Sequence, residues 1–211
     1  MAQLFSIHPV NPQPRLVEQA AAMVRSGGVI AYPTDSCYAL GCQLGNRDAI
    51  ERIRTIRQFD ASHHLTLVCR DLSEIAQYAQ VDNQQYRLMK SATPGSFTFI
   101  LRASREVPRR LQHPKRSTIG LRIPDQMVAL ALLEALGEPL VSATLMLRDD
   151  PMPPTDPAEI RAQLEHDIDL VIDGGPCGIE PTTVVDLTGD APELIRRGRG
   201  DARRVGIDEA A

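Results

Sequence analysis

Tryptophan is missing from this 211-residue chain, and four tyrosines and four phenylalanines leave aromatics at 4%. Lysine is scarce as well: Lys90 and Lys115 are the only two among 23 basic residues. No apolar stretch approaches the ~20 residues that a membrane-spanning helix requires. The opening residues, MAQLFSIHPVNPQP, carry neither the basic start nor the apolar run of a signal peptide. Cys37, Cys42, Cys69 and Cys177 are scattered without the paired spacing of a zinc site, so reduced thiols and a cytoplasmic location are expected. His63-His64 stands without supporting ligands, and His8, His113 and His166 are isolated, so no metal centre built from protein ligands is expected. The loop Gly174-Gly175-Pro176-Cys177-Gly178 lacks the Lys-Ser/Thr of a P-loop and the G-x-G-x-x-G of a Rossmann turn.

What is present is a strand–helix alternation. Asn11-Pro12 is expected to open a helix that Gly27-Gly28 ends, and Val29 to Tyr32 reads as a strand. Asn46 caps a second helix with Ile50, Ile53 and Ile56 as its apolar stripe. Strands follow at 65–69, 97–101, 118–123, 140–144, 170–172, 184–187 and 193–197, with helices at 73–78, 83–92, 128–136 and 157–165. A proline-rich loop near residues 148–155 interrupts the rhythm without ending it. The expectation is one α/β (α+β) domain over residues 12–200, with a loose tail at 201–211.

Two features invite chemistry. Tyr32-Pro33-Thr34-Asp35-Ser36-Cys37-Tyr38-Ala39-Leu40-Gly41-Cys42 crowds short polar side chains behind a strand, either as a self-satisfied turn or as the wall of a ligand site. Thr118 and Arg122 share one face of their strand, ~13 Å apart. An arginine on an otherwise apolar strand needs an anion, either a structural carboxylate or a bound ligand. The net charge of −4 gives no global attraction to nucleic acid, yet Arg102, Arg105, Arg109, Arg110, Lys115 and Arg116 lie close together, and Arg196, Arg197, Arg199, Arg203 and Arg204 form a second group. Such clusters read as a phosphate or RNA footprint or as a solvated face.

Several segments together resemble one family. YPTDSCYALGC, TPGSFTFIL, TIGLRIP, GEPLVSAT and IDGG…PTTVVDL…LIRRG resemble, in order and spacing, the YrdC-like proteins, and PTDS-x-YALGC, IRQ-x-D and PTTV resemble the YciO branch most. The resemblance implies a twisted mixed β-sheet flanked by helices around a concave cavity. It implies an L-threonylcarbamoyladenylate synthase-like nucleotidyltransferase that takes ATP with magnesium, L-threonine and bicarbonate as substrates, with no tightly bound cofactor. It also implies a place in tRNA threonylcarbamoyladenosine modification, with double-stranded RNA or tRNA as partner.

Carried over by position, Thr34, Tyr38, His63, Arg122, Ser142 and Thr182 would lie on the threonine side. Arg57, Thr118, Thr144 and Arg196 would serve the nucleotide, and Arg109, Arg110, Lys115 and Arg116 would form an RNA-binding surface. Asp35 would shape its turn, and no residue is singled out as a catalytic group. Two positions depart from the family pattern: Phe59 replaces the second basic residue of K-x-R, and Met146 replaces the amide of S-x-N. Those departures raise a second reading, a weakly catalytic or non-catalytic RNA-binding protein of the same fold.

Overall fold

The computed structural model describes residues 1–59, 65–147 and 150–207. In chain order the elements are β1 (Gln3–Ser6), α1 (Pro14–Arg25), β2 (Ile30–Tyr32), β3 (Ala39–Gln43), α2 (Arg47–Arg57), β4 (Thr66–Val68), α3 (Leu72–Tyr78), β5 (Ala79–Gln80), α4 (Asn83–Ala92), β6 (Phe97–Ala103), β7 (Thr118–Arg122), α5 (Met127–Leu136), β8 (Leu140–Thr144), α6 (Pro157–Leu164), β9 (Leu170–Asp173), β10 (Thr183–Asp186) and β11 (Glu193–Arg196). All the strands join one sheet in the order β1-β9-β2-β3-β8-β4-β7-β6-β10-β11, with β5 paired to β6. Pairing is mixed: β1/β9, β2/β9, β4/β7 and β6/β10 are parallel, whereas β2/β3, β3/β8, β4/β8 and β6/β7 are antiparallel. This is the twisted mixed sheet, flanked by helices, that the resemblance implies.

Strand alternation sorts the side chains onto two faces. Leu140, Leu170 and Ile172 face α1 and α5, where they meet Val17, Val24 and Leu132 in one apolar cluster. Val141 and Val171, one residue along, face the other way and join Ile50, Ile53, Met89 and Ile160 of α2, α4 and α6. The clean apolar stripe of α2 is what lets it lie flat there, and the Asn46 side chain accepts the Ala49 N–H to start it.

Some expectations change. The first helix begins at Pro14 with Gln13 as N-cap, not at Asn11-Pro12, because the His8 Nδ1 accepts the N–H groups of Val10 and Asn11 and holds that segment as a turn. The stretch after Tyr32 is not all loop: Ala39–Gln43 is a strand clamped between β2 and β8. Its Gly41 and Cys42 disguise it, since strand propensity there comes from the neighbouring strands rather than from the residues themselves. Residues before 12 are also structural, with β1 forming the sheet edge beside β9. Nor are residues 201–207 loose, the rest of the expected tail lying outside the described residues: Ala202–Val205 forms a 3-10 turn with Val205 2% exposed, and the Arg204 guanidinium donates to the Ser91 carbonyl. Replacing Val205 with alanine should lower the free energy of unfolding by about 2 kcal/mol. Denaturant titration checks this, and an unchanged midpoint would mean that the segment adds nothing to the fold.

Candidate functional site

Helices α1 and α5 cover only the β1 side of their face of the sheet. Beyond them, the same face of β4, β6, β7, β8 and β10 carries small and hydroxyl side chains, and a cavity of about 740 Å³ opens there. Its floor includes a row of register partners, Ser142, Thr66, Gly120 and Ile100, running across four strands. A side chain at Gly120 would crowd it, because a Cβ would stand 3.2 Å from the Thr66 Oγ1 and 3.3 Å from the Thr98 Cγ2. Three arginines, Arg57, Arg122 and Arg196, are the charged residues of the lining, and no carboxylate joins them among the described residues.

Arg122 is 7% exposed. Its Nη2 donates to the Asp35 Oδ1 at 2.5 Å and its Nη1 to the Ser36 Oγ at 3.3 Å. The other Asp35 oxygen accepts from the Ser96 Oγ at 2.6 Å. The carboxylate that the buried guanidinium needs is therefore Asp35, and that residue does more than shape its turn. The Arg122 Nε, like that of Arg57, is buried without a hydrogen-bond partner among the described residues.

Arg57 ends α2, and its guanidinium lies 4.5 Å from the centre of the Phe59 ring. Burial lowers the pKa of Arg57 and of Arg196 below the usual arginine value, since desolvation disfavours the charged form. Arg196 reaches back from β11 and donates through Nη2 to the Thr182 carbonyl at 2.9 Å, while the Thr182 and Thr98 hydroxyls pair at 2.8 Å. Ser142 donates to the Leu40 carbonyl at 2.9 Å and meets the Tyr32 hydroxyl at 2.8 Å. Burial pushes the Tyr32 phenol up to about 12, so it remains a neutral hydrogen-bonding group there. Burial also raises the pKa of the Cys37 thiol on the cavity wall, with Arg122, Arg196 and Arg199 pulling the other way.

The cavity thus gathers Arg57, Arg122, Ser142, Thr144, Thr182 and Arg196 from the sequence-derived set. It does not gather Thr34, Tyr38 or Thr118. The Thr34 hydroxyl donates to the Cys37 carbonyl at 2.7 Å and accepts the Ser36 N–H, knotting the turn from inside. The Tyr38 hydroxyl donates to the Gly175 carbonyl at 2.8 Å, bracing the glycine-rich loop. Thr118 is buried at the far end of β7, where its carbonyl accepts the His113 N–H and the lining has yet to begin. His63 lies outside the described residues. Sequence reasoning missed Asp35 as an ion-pair partner, along with Thr66 and Thr98 in the floor. The signal for Thr98 is its place as the one hydroxyl between Phe97 and Phe99 in an apolar strand.

Arg109, Arg110, Lys115 and Arg116 are exposed on the connection between β6 and β7. The Arg110 Nη2 donates to the Gly45 carbonyl at 2.6 Å, and Arg116 lies 3.6 Å from Asp186. No helix among the described residues is long and apolar enough to cross a membrane.

Comparison with known proteins accounts for this architecture. Residues 22–198 match the profile of the Sua5/YciO/YrdC family, described as "Telomere recombination". The chain is 55% identical to YciO of Escherichia coli (strain K12) over 203 residues, covering 96% of this chain and 98% of that protein. It is 33% identical to a threonylcarbamoyl-AMP synthase of Halorhodospira halophila over 191 residues, covering 90% and 98%. The crystal structure of E. coli YciO superposes with a TM-score of 0.93, covering 97% of this chain and 100% of that one. The P. abyssi Sua5 structure complexed with L-threonine gives a TM-score of 0.84 at 26% identity, covering 92% of this chain and 57% of that longer one. The chain is a member of the Sua5/YciO/YrdC family.

Proposed function

We propose that the chain is an L-threonylcarbamoyladenylate synthase-like nucleotidyltransferase acting in tRNA threonylcarbamoyladenosine modification. The observation that carries this reading is a cavity whose charged lining, among the described residues, is arginine alone, set among hydroxyls on an open sheet face. Guanidinium groups suit carboxylate and phosphate, and both occur on these substrates. The relation to a threonylcarbamoyl-AMP synthase and to a Sua5 structure complexed with L-threonine supports the same direction.

In the reaction, the threonine amine and bicarbonate condense to a carbamate with loss of water. A carbamate oxygen then attacks the α-phosphorus of ATP, the bond from that phosphorus to the β-phosphate oxygen breaks, and pyrophosphate leaves. Arg122 would hold the amino-acid carboxylate through the remaining hydrogens of its two Nη atoms, with Ser142 and Thr182 lining that side. Arg57, Thr144 and Arg196 would hold phosphates. Among the described residues no group of His, Cys, Asp or Glu side chains could hold a metal ion, so magnesium would arrive on the nucleotide. No protein nucleophile is required, and positioning supplies the catalysis.

A second reading, a weakly catalytic RNA-binding protein, is favoured by Phe59, which packs on Arg57 where the resemblance implies a second cation. The exposed basic connection would then be the RNA footprint, for double-stranded RNA or tRNA.

Purified protein supplied with threonine, bicarbonate and magnesium-ATP should release pyrophosphate. Arg122→Ala should raise the KM for threonine by about tenfold or more. Absence of ATP binding by isothermal titration, with threonine and bicarbonate present, would overturn the synthase reading. If Phe59 limits phosphate binding, Phe59→Arg should raise the rate by about tenfold. For the RNA reading, reversing charge at Arg109, Arg110 and Lys115 together should weaken duplex RNA binding by about tenfold at low salt and flatten its salt dependence. Unchanged binding would dismiss that footprint.

A further inference from the structure

Arg122 lines the cavity while part of its guanidinium is engaged elsewhere. One Nη2 hydrogen goes to Asp35 and one Nη1 hydrogen to Ser36, which leaves the second hydrogen on each of these nitrogens, whereas the Nε–H is buried without a partner among the described residues. Asp35 and Arg122 are each 9% exposed at the side chain, so water screens the pair little. The carboxylate is itself held from two directions. Ser96, at the entrance to β6, donates to its second oxygen at 2.6 Å. The turn that carries it is tied by the Thr34 hydroxyl to Ser36 and Cys37. Asp35 does not line the cavity, whereas Arg122 and Ser36 do.

We infer that Asp35 is a positioning and specificity-determining residue. From behind, it neutralises Arg122 and fixes its orientation, so that this end of the cavity selects a carboxylate by geometry instead of collecting anions by charge. A ligand on the cavity side faces an ion pair, whose field falls with distance faster than that of a lone cation. Only an anion that touches the remaining Nη hydrogens of Arg122 gains much from it. A carboxylate positioned by the rest of the ligand can make that contact. A free multivalent anion, which relies on long-range attraction, is disfavoured by the nearby Asp35 charge. The identity of the carboxylate as that of an amino acid rests on the function proposed above, whereas the discrimination against loose anions does not.

The test compares L-threonine and inorganic phosphate as ligands of the full-length protein by isothermal titration. Asp35→Asn keeps the shape and the hydrogen-bonding oxygen while removing the charge. In this variant phosphate should bind about tenfold more tightly, and the preference for threonine over phosphate should fall by at least about tenfold. Ser96→Ala keeps both charges and releases the second Asp35 oxygen. It should weaken threonine by about threefold and leave phosphate as in the wild type. A folded Asp35→Asn protein with unchanged phosphate affinity overturns the inference. Should Asp35→Asn fail to fold, wild-type threonine affinity in Ser96→Ala overturns it. A wild type that ignores threonine would sink the substrate reading, and the phosphate comparison would still decide the role of Asp35.

Discussion

A guanidinium buried on a sheet floor needs an anion beside it, and here the Arg122–Asp35 pair meets that constraint. Much else follows from it. Asp35 must approach β7 from the connection between β2 and β3, so the turn must fold back over the sheet and be knotted by Thr34. Ser96 must sit at the start of β6 to take the second oxygen. Phe97 and Phe99 then enter the opposite core, with ring centres 5.8 Å apart, while Thr98 between them turns to the cavity. One ion pair thereby ties three segments that are distant in the chain.

The cavity arises from an imbalance of cover. The α-helices among the described residues serve a sheet whose two faces both need burial, and α1 and α5 reach only part of theirs. An uncovered apolar face would be an aggregation hazard. The exposed portion instead carries glycine, serine and threonine with a few aliphatics, a surface that is stable beside water and able to hydrogen-bond. The same residues that remove the need for another helix therefore furnish a binding floor.

Much of this was legible in the sequence. Apolar spacing marked α2 and β7, because it is regular in both and the cap of α2 is local. The anion demand of Arg122 was legible too, as a charge on a strand that otherwise reads as buried. Its answer was not, since Asp35 lies 87 residues away and nothing local announces the pairing. β3 was hidden for a similar reason: Ala39-Leu40-Gly41-Cys42 has little strand propensity, and only its two neighbours impose the extended form. Thr34 and Tyr38 carried the family resemblance strongly yet turn their hydroxyls to backbone carbonyls. A motif's visibility in sequence reflected its role in shaping the wall as much as in touching what lies inside.

The row of Ser142, Thr66, Gly120 and Ile100 has a mechanical meaning as well. The short side chains of Ser142, Thr66 and Gly120 bring the site close to the hydrogen-bonded ladder itself, so an occupant rests nearly on the strands that carry them. It would stitch them together, and filling the cavity would slow amide exchange across the middle of the sheet rather than only at its rim. Chemical variety would then belong to the rim, to residues such as Phe59 and Ile195, which can change without disturbing the bed beneath.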